Sequence, residues 1–588
     1  MFRLSNRTTL FLLGAILVLA FALRLYRAGT YGIFFDEKST LLISQGVVLE
    51  GFNQKDVFSK TYFTPAEFWK PKTIADFIEA DTRSDIGNSP SYYAVLWLWM
   101  ELFGLSDWSL RMPSVLFSTF TVLLLYYFVK RHFNSEKLAI TSAFVAAIEP
   151  FFIAHSHIAR NYSMSFFLTL LATHLLLLIL EKARTNKHPI GLYVAYGLVF
   201  VTSVLSHYLT VTVFLCHGLY ALLYLRNKQT WITLASVAAL GLGLVSLWFL
   251  FGGGKYTFFT LNYQAQLYRS IALTNPTGSQ FGIVLPATFR NITVRAVPIF
   301  ADLFIVTNGL GTAILGLRNS VLAIGLGSVA TFFIHQYWAD KNPPVWVYGI
   351  VPVVLAVGLP IYTVVPLRFL VLSTAVPFIY LIGRYVVSYV GTSQKHLVVL
   401  MFLLAFIPTL FLLFMAWRSG HTFGITQRYS GFSFPYVCVF VAMGLQQLIQ
   451  LPRWFSLPLG AVLILQLGFV IQLLADIYAD NQPKYTYFDR PRISNPYFYT
   501  AQKLKQLYAP GDTILYPNMK RVIYSEKIDK TYSPYALLDA QLVNVYLPED
   551  AQFIQRVDPN ERDRVVLVKG KSGEKITIFD FQDKKYRY

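Results

Sequence analysis

Long apolar runs alternate with short polar gaps along most of the chain. Runs of about 20 residues recur up to residue 476, and each is long enough to cross a hydrocarbon layer of about 30 Å. The pattern therefore predicts a mainly α, polytopic membrane bundle of about 13 helices. The predicted spans are 8–26, 109–130, 138–155, 161–181, 190–206, 208–225, 231–251, 320–338, 345–365, 368–390, 397–416, 431–450 and 456–476.

One apolar stretch, 296–317, is ambiguous. It contains Asp302 and Asn308, polar groups that are costly to place in lipid without partners. Counting it as a span would invert every later helix. We predict instead that it belongs to an outward loop, either packed or re-entrant.

Composition agrees with the membrane assignment. Hydrophobic residues make up 55% of the 588 positions and charged residues 14%, whereas soluble domains carry about 25% charge. The mean hydropathy is +0.48. A soluble globular protein is therefore excluded. The two cysteines, Cys216 and Cys438, both lie in apolar runs, so no disulfide framework is predicted.

The net charge of +19 invites a nucleic-acid interpretation, but the distribution of charge argues against it. Acidic residues concentrate in 31–108 and 477–588, and only six lie elsewhere. Basic clusters such as Lys130-Arg131-His132 and Arg226-Asn227-Lys228 fall at every second gap, as the positive-inside rule requires. These gaps are predicted to be cytoplasmic, with the amino terminus inside and the carboxyl end outside, in a bacterial inner membrane.

Three outward segments are too long to be simple connectors. The first, 31–108, contains the aromatic run Tyr92 to Met100, which suits a helix lying at the membrane interface. The second, 252–318, opens on Gly252-Gly253-Gly254 and is expected to be a mobile loop. The third, 477–588, has ordinary polarity and follows the membrane domain 1–476.

The tail, 477–588, is expected to be a small extracytoplasmic α/β domain. Its periodicity predicts a helix over 499–507 and strands at 513–516, 565–568 and 576–579.

The first candidate for chemistry is the pair Asp36-Glu37, just beyond the first span. A carboxylate at the boundary between lipid and water is partly desolvated, which makes it a usable base. Adjacent residues on a helix point in different directions, so the two carboxylates are expected to have different roles. The alternative is an acidic pair that stabilises a helix amino terminus.

A metal site is a second hypothesis. Glu149 lies at the outward end of the third span, with His157 a few residues on, and a carboxylate–imidazole cluster can hold a divalent ion. The alternatives are that Glu149 pairs with Arg160 and that His157 is a hydrogen-bonded core residue. The sequence establishes no cofactor.

Further motifs follow Asp36-Glu37 in order along the chain. Each combines aromatic, proline and polar residues near the outward end of a span. They are Ser89-Pro90-Ser91-Tyr92-Tyr93, Phe103-Gly104, Leu110-Arg111-Met112-Pro113-Ser114, Ser156-His157-Ile158-Ala159-Arg160-Asn161-Tyr162, Ser206-His207-Tyr208, Arg368-Phe369 and Arg428-Tyr429.

In their order and spacing these motifs resemble lipid-linked-sugar glycosyltransferases of GT-C type, in the protein O-mannosyltransferase and aminoarabinose-transferase superfamily. The resemblance is close over about residues 5–250 and loose beyond. The chain departs from the Ser-x-Glu-Ala-Arg motif of the family, where it has Ile158 in place of Glu. The second acidic residue of the family motif is therefore absent at this position, and so is the ligand that a metal site would take from it.

The resemblance implies an inverting transfer of a monosaccharide from a polyprenyl-phosphate to an acceptor hydroxyl on the extracytoplasmic side. Asp36 would accept the proton of the acceptor, and Glu37 completes the acidic motif. Arginine binds phosphate oxygens bidentately. The candidate donor-phosphate residues are Arg160, Tyr162, His207, Arg368, Arg428, Lys255 and Arg269.

Structural alternatives remain open for this set. An arginine at a span end can simply snorkel to the interface. Tyr162 can belong to an aromatic belt, and Lys255 and Arg269 can be solvated loop residues.

Three other functions remain as alternatives. A transporter or flippase would place ionisable groups near the bilayer midplane, and a non-catalytic scaffold would use the tail to bind a partner. A lipid-linked polysaccharide ligase or polymerase would share the substrate type. The expected partners are the lipid-linked sugar, membrane lipid and a glycan, lipid or protein acceptor, without nucleic acid. The sequence identifies neither the sugar nor the acceptor.

Overall fold

The structure is a computed structural model. It describes residues 6–48, 62–63, 71–85, 87–184, 189–279, 282–338, 344–390, 392, 394–481, 484–485, 494–517, 520–522, 532–551, 553–583 and 585–586.

The predicted fold class, a mainly α membrane bundle with a small mixed domain at its carboxyl end, is confirmed. Within the described residues, nine helices are long and apolar enough to cross a membrane, and a bent pair makes a tenth. The other three predicted spans fall on shorter apolar helices of 10–17 residues, Ile190–Ser206, Tyr208–Tyr224 and Val347–Val357.

In the first half of the bundle, three short helices lie between the first span and the next long helix. The helices are α1 (Asn6–Leu25), α2 (Phe35–Ser44), α3 (Ile74–Asp85), α4 (Pro90–Phe103), α5 (Asp107–Phe133), α6 (Glu136–Ile148), α7 (Pro150–Ser156), α8 (Tyr162–Ala183), α9 (Ile190–Ser206), α10 (Val211–Tyr224) and α11 (Lys228–Phe251).

The second half begins with a long interhelical segment and continues to the tail. Its helices are α12 (Thr257–Thr274), α13 (Phe289–Leu303), α14 (Gly311–Ile314), α15 (Leu317–Gln336), α16 (Val347–Val357), α17 (Pro366–Val390), α18 (Lys395–Ser419), α19 (Phe434–Gln450) and α20 (Arg453–Ala479). Single turns of 3₁₀ helix cover 208–210 and 253–256, and a longer one covers 427–433.

The bent pair is α6 and α7, which meet at an angle of 54° at Glu149. Pro150 causes the break because it has no N–H to donate to the carbonyl of Ala146. The buried Arg24 guanidinium fills this gap, donating to the carbonyls of Ala146 at 3.0 Å and Ala147 at 2.9 Å. A cation from α1 thus caps the carboxyl end of α6, where negative partial charge accumulates.

The ambiguous stretch 296–317 does not form one continuous helix. It divides into the end of α13, irregular chain over 304–310, and the short α14. Asp302 accepts from the backbone N–H of Gly309 at 2.9 Å, which stabilises the break. The interrupted helix over 296–317 agrees with the prediction that this stretch is a packed loop.

The elements of the tail sheet and the helices beside it are β1 (Tyr62–Phe63), α21 (Pro496–Leu507), β2 (Thr513–Pro517), α22 (Tyr535–Asn544), β5 (Ile554–Asp558), β6 (Arg564–Val568) and β7 (Lys575–Asp580). The five strands lie in the order β1-β5-β2-β6-β7. Strands β2 and β5 pair in parallel and the other neighbours are antiparallel. The predicted helix and the three predicted strands are present, whereas α22, β5 and the short strands were not predicted.

A separate two-stranded pair, β3 (Lys520–Val522) and β4 (Tyr532–Pro534), completes the tail.

The edge strand β1 comes from the first loop, so the tail and the loop share one sheet. A buried polar chain adds a second connection, in which Lys38 Nζ of α2 donates to Tyr497 Oη at 2.7 Å. Tyr497 Oη in turn donates to Asp539 Oδ1 at 3.1 Å. All three side chains are buried, so the tail is packed firmly against the helix that carries Asp36.

The tyrosine hydroxyl at the centre of this chain can be removed with little change in shape. Tyr497→Phe takes one partner from each of two buried charged groups, and we expect a loss of about 1–3 kcal/mol in the free energy of unfolding. Thermal or denaturant unfolding in detergent measures it. Tyr499→Phe, on the exposed side of the same helix, is the matched control, and equal stability of the two variants would contradict the role of this chain.

Candidate active site

The site begins at the amino terminus of α2. The backbone N–H of Phe34 donates to Glu37 Oε2 at 3.1 Å, an arrangement that fixes the first turn of the helix. Asp36 and Glu37 therefore lie in the same first turn and point in different directions, as predicted.

Glu37 points into the protein, where its side chain is fully buried. Arg111 of α5 forms a bidentate pair with it, with Nε and Nη2 each 2.8 Å from a carboxylate oxygen. The backbone N–H of Ala159 also donates to Glu37 Oε1 at 2.8 Å. Arg111 further donates to the carbonyls of Ala28 and Tyr31, each at 2.7 Å. Glu37 therefore fixes three segments of chain and does not face the Asp36 side of the helix.

Asp36 has the opposite environment. Its side chain is 22% exposed, and Oδ2 lies 3.4 Å from Arg428 Nη1. Arg160 Nη1 lies 3.4 Å from the backbone carbonyl of Asp36 and 3.0 Å from Thr40 Oγ1, one turn further along α2. The structure thus places two guanidinium groups from distant parts of the chain beside one accessible carboxylate.

The sequence did not single out Asp85, which pairs with Arg160 from the other side. Asp85 Oδ2 lies 3.7 Å from Arg160 Nη1 and also accepts a hydrogen bond from Tyr93. Burial raises the pKa of Asp85, although Arg160 and Tyr93 oppose the change. The sequence signal that could have identified Asp85 is its position just before the Ser89 to Tyr93 motif.

Aromatic rings close the site beyond the two arginines. The His207 ring centroid is 5.7 Å from that of Tyr162 and 5.8 Å from that of Tyr429. Burial, together with Arg160 and Arg428, lowers the pKa of His207 to about 3, so the imidazole is neutral at physiological pH. Its Nδ1 accepts from the backbone N–H of Leu209 at 3.2 Å, which assigns the proton to Nε2.

A second carboxylate of α3, Asp81, is completely buried beside this site. Neither of its oxygens has a hydrogen-bond partner among the described residues. A methyl group built on Gly253 would lie 3.4 Å from Asp81 Oδ2, so the predicted hinge packs directly against this carboxylate. Burial, reinforced by Asp85, raises the pKa of Asp81 well above its ordinary value.

Three predicted phosphate-binding residues lie apart from this cluster. Lys255 is exposed, with Nζ 5.8 Å from the ring centroid of Tyr256, and Arg269 is exposed beside Gly420. Arg368 lines a different cleft, where its guanidinium carbon is 5.9 Å from the ring centroid of Phe469. The structure therefore brings together Asp36, Arg160, Tyr162, His207 and Arg428 from the predicted set.

The two predicted metal ligands do not meet. Glu149 and His157 flank opposite ends of α7, about 12 Å apart along the helix. Asn308 lies 3.5 Å from Glu149, and the His157 ring packs at 5.6 Å from that of Tyr478. No cluster of three or more His, Cys, Asp or Glu residues suited to a metal occurs in the described part of the chain. The structure therefore does not bring the two predicted ligands together.

Comparison with known proteins gives one family match. Residues 88–249 match the family model described as dolichyl-phosphate-mannose-protein mannosyltransferase. Arg160, Tyr162 and His207 lie inside this stretch, and Asp36 and Arg428 lie outside it. The match confirms the resemblance to lipid-linked-sugar glycosyltransferases over this stretch. No curated protein matches the chain in sequence.

Solved structures show distant similarity. The oligosaccharyltransferase of Archaeoglobus fulgidus in its apo form is 12% identical, with a TM-score of 0.42 over 86% of this chain and 59% of that chain. ArnT from Cupriavidus metallidurans bound to undecaprenyl phosphate is 14% identical, with a TM-score of 0.35 over 88% and 83%. The chain thus spans about three fifths of the archaeal protein.

Removal of the buried charge on Glu37 is expected to destabilise the protein strongly. Glu37→Gln leaves the Arg111 guanidinium without its anion, at a cost of about 3–5 kcal/mol in the free energy of unfolding. Glu136→Gln, which disrupts the exposed pair with Lys130 at 2.8 Å, is the control and should cost less than about 1 kcal/mol. Similar losses for both variants would show that the buried pair is not important for stability.

Asp81 is expected to make stability depend on pH. The folded protein resists ionisation of this carboxyl, whereas the unfolded chain ionises it near 3.8. Asp81 therefore lowers the stability of the wild type as the pH rises above that value, and Asp81→Asn lacks this contribution.

We expect the free energy of unfolding of Asp81→Asn to exceed that of the wild type at pH 7, and the difference to vanish at pH 3. Denaturant titrations at several pH values measure it. Asp550→Asn, at an exposed position of the tail, controls for the loss of one charge. Parallel pH profiles for the wild type and Asp81→Asn would contradict the expectation.

Proposed function

We propose that this protein transfers a monosaccharide from a polyprenyl-phosphate to an acceptor hydroxyl, with inversion, at the site around Asp36. The observation that carries the proposal is an accessible carboxylate flanked by Arg428 and Arg160. The matched family is named for a dolichyl-phosphate-linked mannose donor, which supports this donor class.

The chemistry has two requirements that the site can meet. The hydroxyl oxygen of the acceptor attacks the anomeric carbon of the sugar, the bond from that carbon to the phosphate oxygen breaks, and the acceptor proton must leave. Asp36 and Asp85 are equally exposed, each at 22%, but Asp85 already accepts a hydrogen bond from Tyr93, so Asp36 is assigned as the proton acceptor. The leaving phosphate already carries negative charge, so it needs cations and hydrogen-bond donors and no strong acid.

Arg428 and Arg160 supply those cations. The 3.4 Å contact between Arg428 and Asp36 is long for a charge-assisted hydrogen bond, so a phosphate oxygen can replace the carboxylate as its partner. Asp85 and Thr40 hold Arg160 from two sides. Neutral His207, with its proton on Nε2, is a donor beside the same group.

Glu37 is assigned a positioning role in this proposal. Its pairing with Arg111 fixes the first turn of α2, and with it the direction of the Asp36 side chain. Lys255 and Arg269 are left outside the transfer site because both are exposed and apart from Asp36.

We further propose that the site faces the extracytoplasmic side of a bacterial inner membrane. Lys130 and Arg131 lie in the last turn of α5, whereas Arg111, which binds Glu37, lies near its first turn. The positive-inside rule assigns the Lys130 end to the cytoplasm. Asp36 then lies at the opposite face, where a lipid-linked sugar presents its head group.

The decisive test is Asp36→Asn in purified protein supplied with a polyprenyl-phosphate sugar. Loss of the base should reduce transfer by about 10²–10⁴-fold, because positioned proton transfer contributes that much. Folding should be unchanged, since the Asp36 side chain is accessible. Glu101→Gln, at an exposed position of α4, is the control carboxylate and should keep wild-type activity. Undiminished transfer by Asp36→Asn would contradict the assignment of Asp36 as the base.

A further inference from the structure

Residues 255–295, called the arm below, run from the end of α11 through α12 into the first half of α13. The arm begins just after the hinge that packs against the buried carboxylate of α3. The backbone N–H of Thr422 donates to the carbonyl of Leu285 at 3.0 Å, and the ring of Tyr268 stacks on that of Phe423 with centroids 4.0 Å apart. The arm is therefore held at several points on the face of the bundle that carries the proposed transfer site.

The charge of this segment is positive throughout. From residue 252 to residue 300 the sequence has no Asp or Glu and four basic residues, Lys255, Arg269, Arg290 and Arg295. None of these four forms an ion pair with a residue that the structure describes. Segments on the outer side of a membrane usually have few lysines and arginines. On the proposed extracytoplasmic side the arm is thus an exception, and the chain supplies no anion for its cations.

Large apolar side chains are exposed along the same arm. Phe258 and Leu273 of α12 are 69% and 70% exposed, and Phe289 at the start of α13 is 89% exposed. Successive helical residues turn by about 100°, which places Phe258, Arg269 and Leu273 within about 60° of one another around the axis of α12. Phe289 directly precedes the exposed Arg290. In both helices, exposed apolar groups therefore lie beside exposed cations.

We propose that the arm binds anionic phospholipid, of which phosphatidylglycerol is the representative, at the surface of the membrane. Phe258, Leu273 and Phe289 enter the boundary between head groups and acyl chains. Arg269 and Arg290 extend from the same surface to the lipid phosphates. The surface is separate from the proposed transfer reaction, since Arg269 lies apart from Asp36.

The combination of charge and apolar surface argues against other occupants. A second copy of the chain would bring two sets of like charges together, which is unfavourable. A soluble acidic protein would satisfy the cations but offers no hydrocarbon for the exposed apolar groups. An anionic lipid supplies both the negative charge and the apolar environment.

Lipid binding is measured on the full-length protein in detergent by native mass spectrometry. Phosphatidylglycerol and phosphatidylcholine are titrated in separate samples, and the lipid molecules bound to each protein are counted. We expect phosphatidylglycerol to bind at least 10-fold more tightly, since only its head group has a net negative charge. Equal affinity for the two lipids would overturn the proposal.

The double variant Arg269→Gln/Arg290→Gln removes two cations from the arm. It should weaken binding of phosphatidylglycerol about 25-fold, because each cation near an anionic surface contributes about 5-fold. Lys505→Gln/Lys571→Gln removes the same charge from exposed positions of the tail and is the matched control. Wild-type affinity in the arm variant, or an equal loss in the control, would overturn the proposal.

Undecaprenyl phosphate has a phosphate of the same chemistry, so its binding separates the arm from the transfer site. The double variant of the arm should bind undecaprenyl phosphate as the wild type does, whereas Arg428→Gln should lose undecaprenyl phosphate and retain phosphatidylglycerol. Loss of both lipids in the arm variant would place the carrier lipid on the arm and overturn the proposal. These measurements require no sugar transfer, so they are independent of the role of Asp36.

A fluorescent label tests whether the arm lies at the membrane surface. Cys216 and Cys438 are both buried, so the thiol introduced by Phe289→Cys is labelled selectively. In nanodiscs that contain phosphatidylglycerol and one protein molecule each, an environment-sensitive dye at residue 289 should emit at a shorter wavelength than the same dye at Lys571→Cys in the tail. A single protein in each disc excludes contact with a second copy as the cause. Equal emission at the two positions would overturn the proposal.

Discussion

The buried ion pair between Glu37 and Arg111 is the constraint on which the rest of the site depends. A carboxylate and a guanidinium withdrawn from water are tolerated only when their hydrogen bonds are nearly all satisfied. Here the partners include Ala159, one residue before Arg160, and the carbonyls that follow α1. The same pair therefore fixes the start of α2, the position of Arg160 and the chain between the first span and the site. The Glu37 carboxylate takes no part in the proposed reaction, yet it sets the position of the Asp36 carboxylate, which we propose does.

Asp36 and Glu37 are adjacent in sequence, but their side chains differ in burial and in pairing. Glu37 pairs with Arg111 and with the Ala159 N–H, whereas the Asp36 side chain makes, within the described part of the chain, one long contact, to Arg428. Incomplete pairing suits a binding site, since a fully satisfied group gains little from a ligand. The proposed site therefore combines a rigid support, the Glu37–Arg111 pair, with a polar group that remains available, Asp36.

The sequence predicted the helices of this protein well because lipid imposes a simple rule on length and polarity. It also predicted Asp36, Arg160, His207 and Arg428, which the structure brings together. It could not separate Arg428 from Arg368, because both follow the same Arg-aromatic pattern and only packing distinguishes them. Asp85 and Asp81 were missed, since their importance comes from burial beside Arg160. Strand β1 was missed because two residues become a strand only when a distant edge is available.

The Lys38–Tyr497 hydrogen bond joins residues separated by 459 positions in the chain. A ribosome adds about 5–20 residues per second. The helix that carries Asp36 is therefore synthesised roughly 20–90 seconds before its partner from the tail exists. During that interval the Lys38 ammonium lacks this partner within a half-built bundle. A nascent chain interrupted before the tail would insert most of its spans and still leave Lys38, two residues beyond Asp36, without this hydrogen-bond partner.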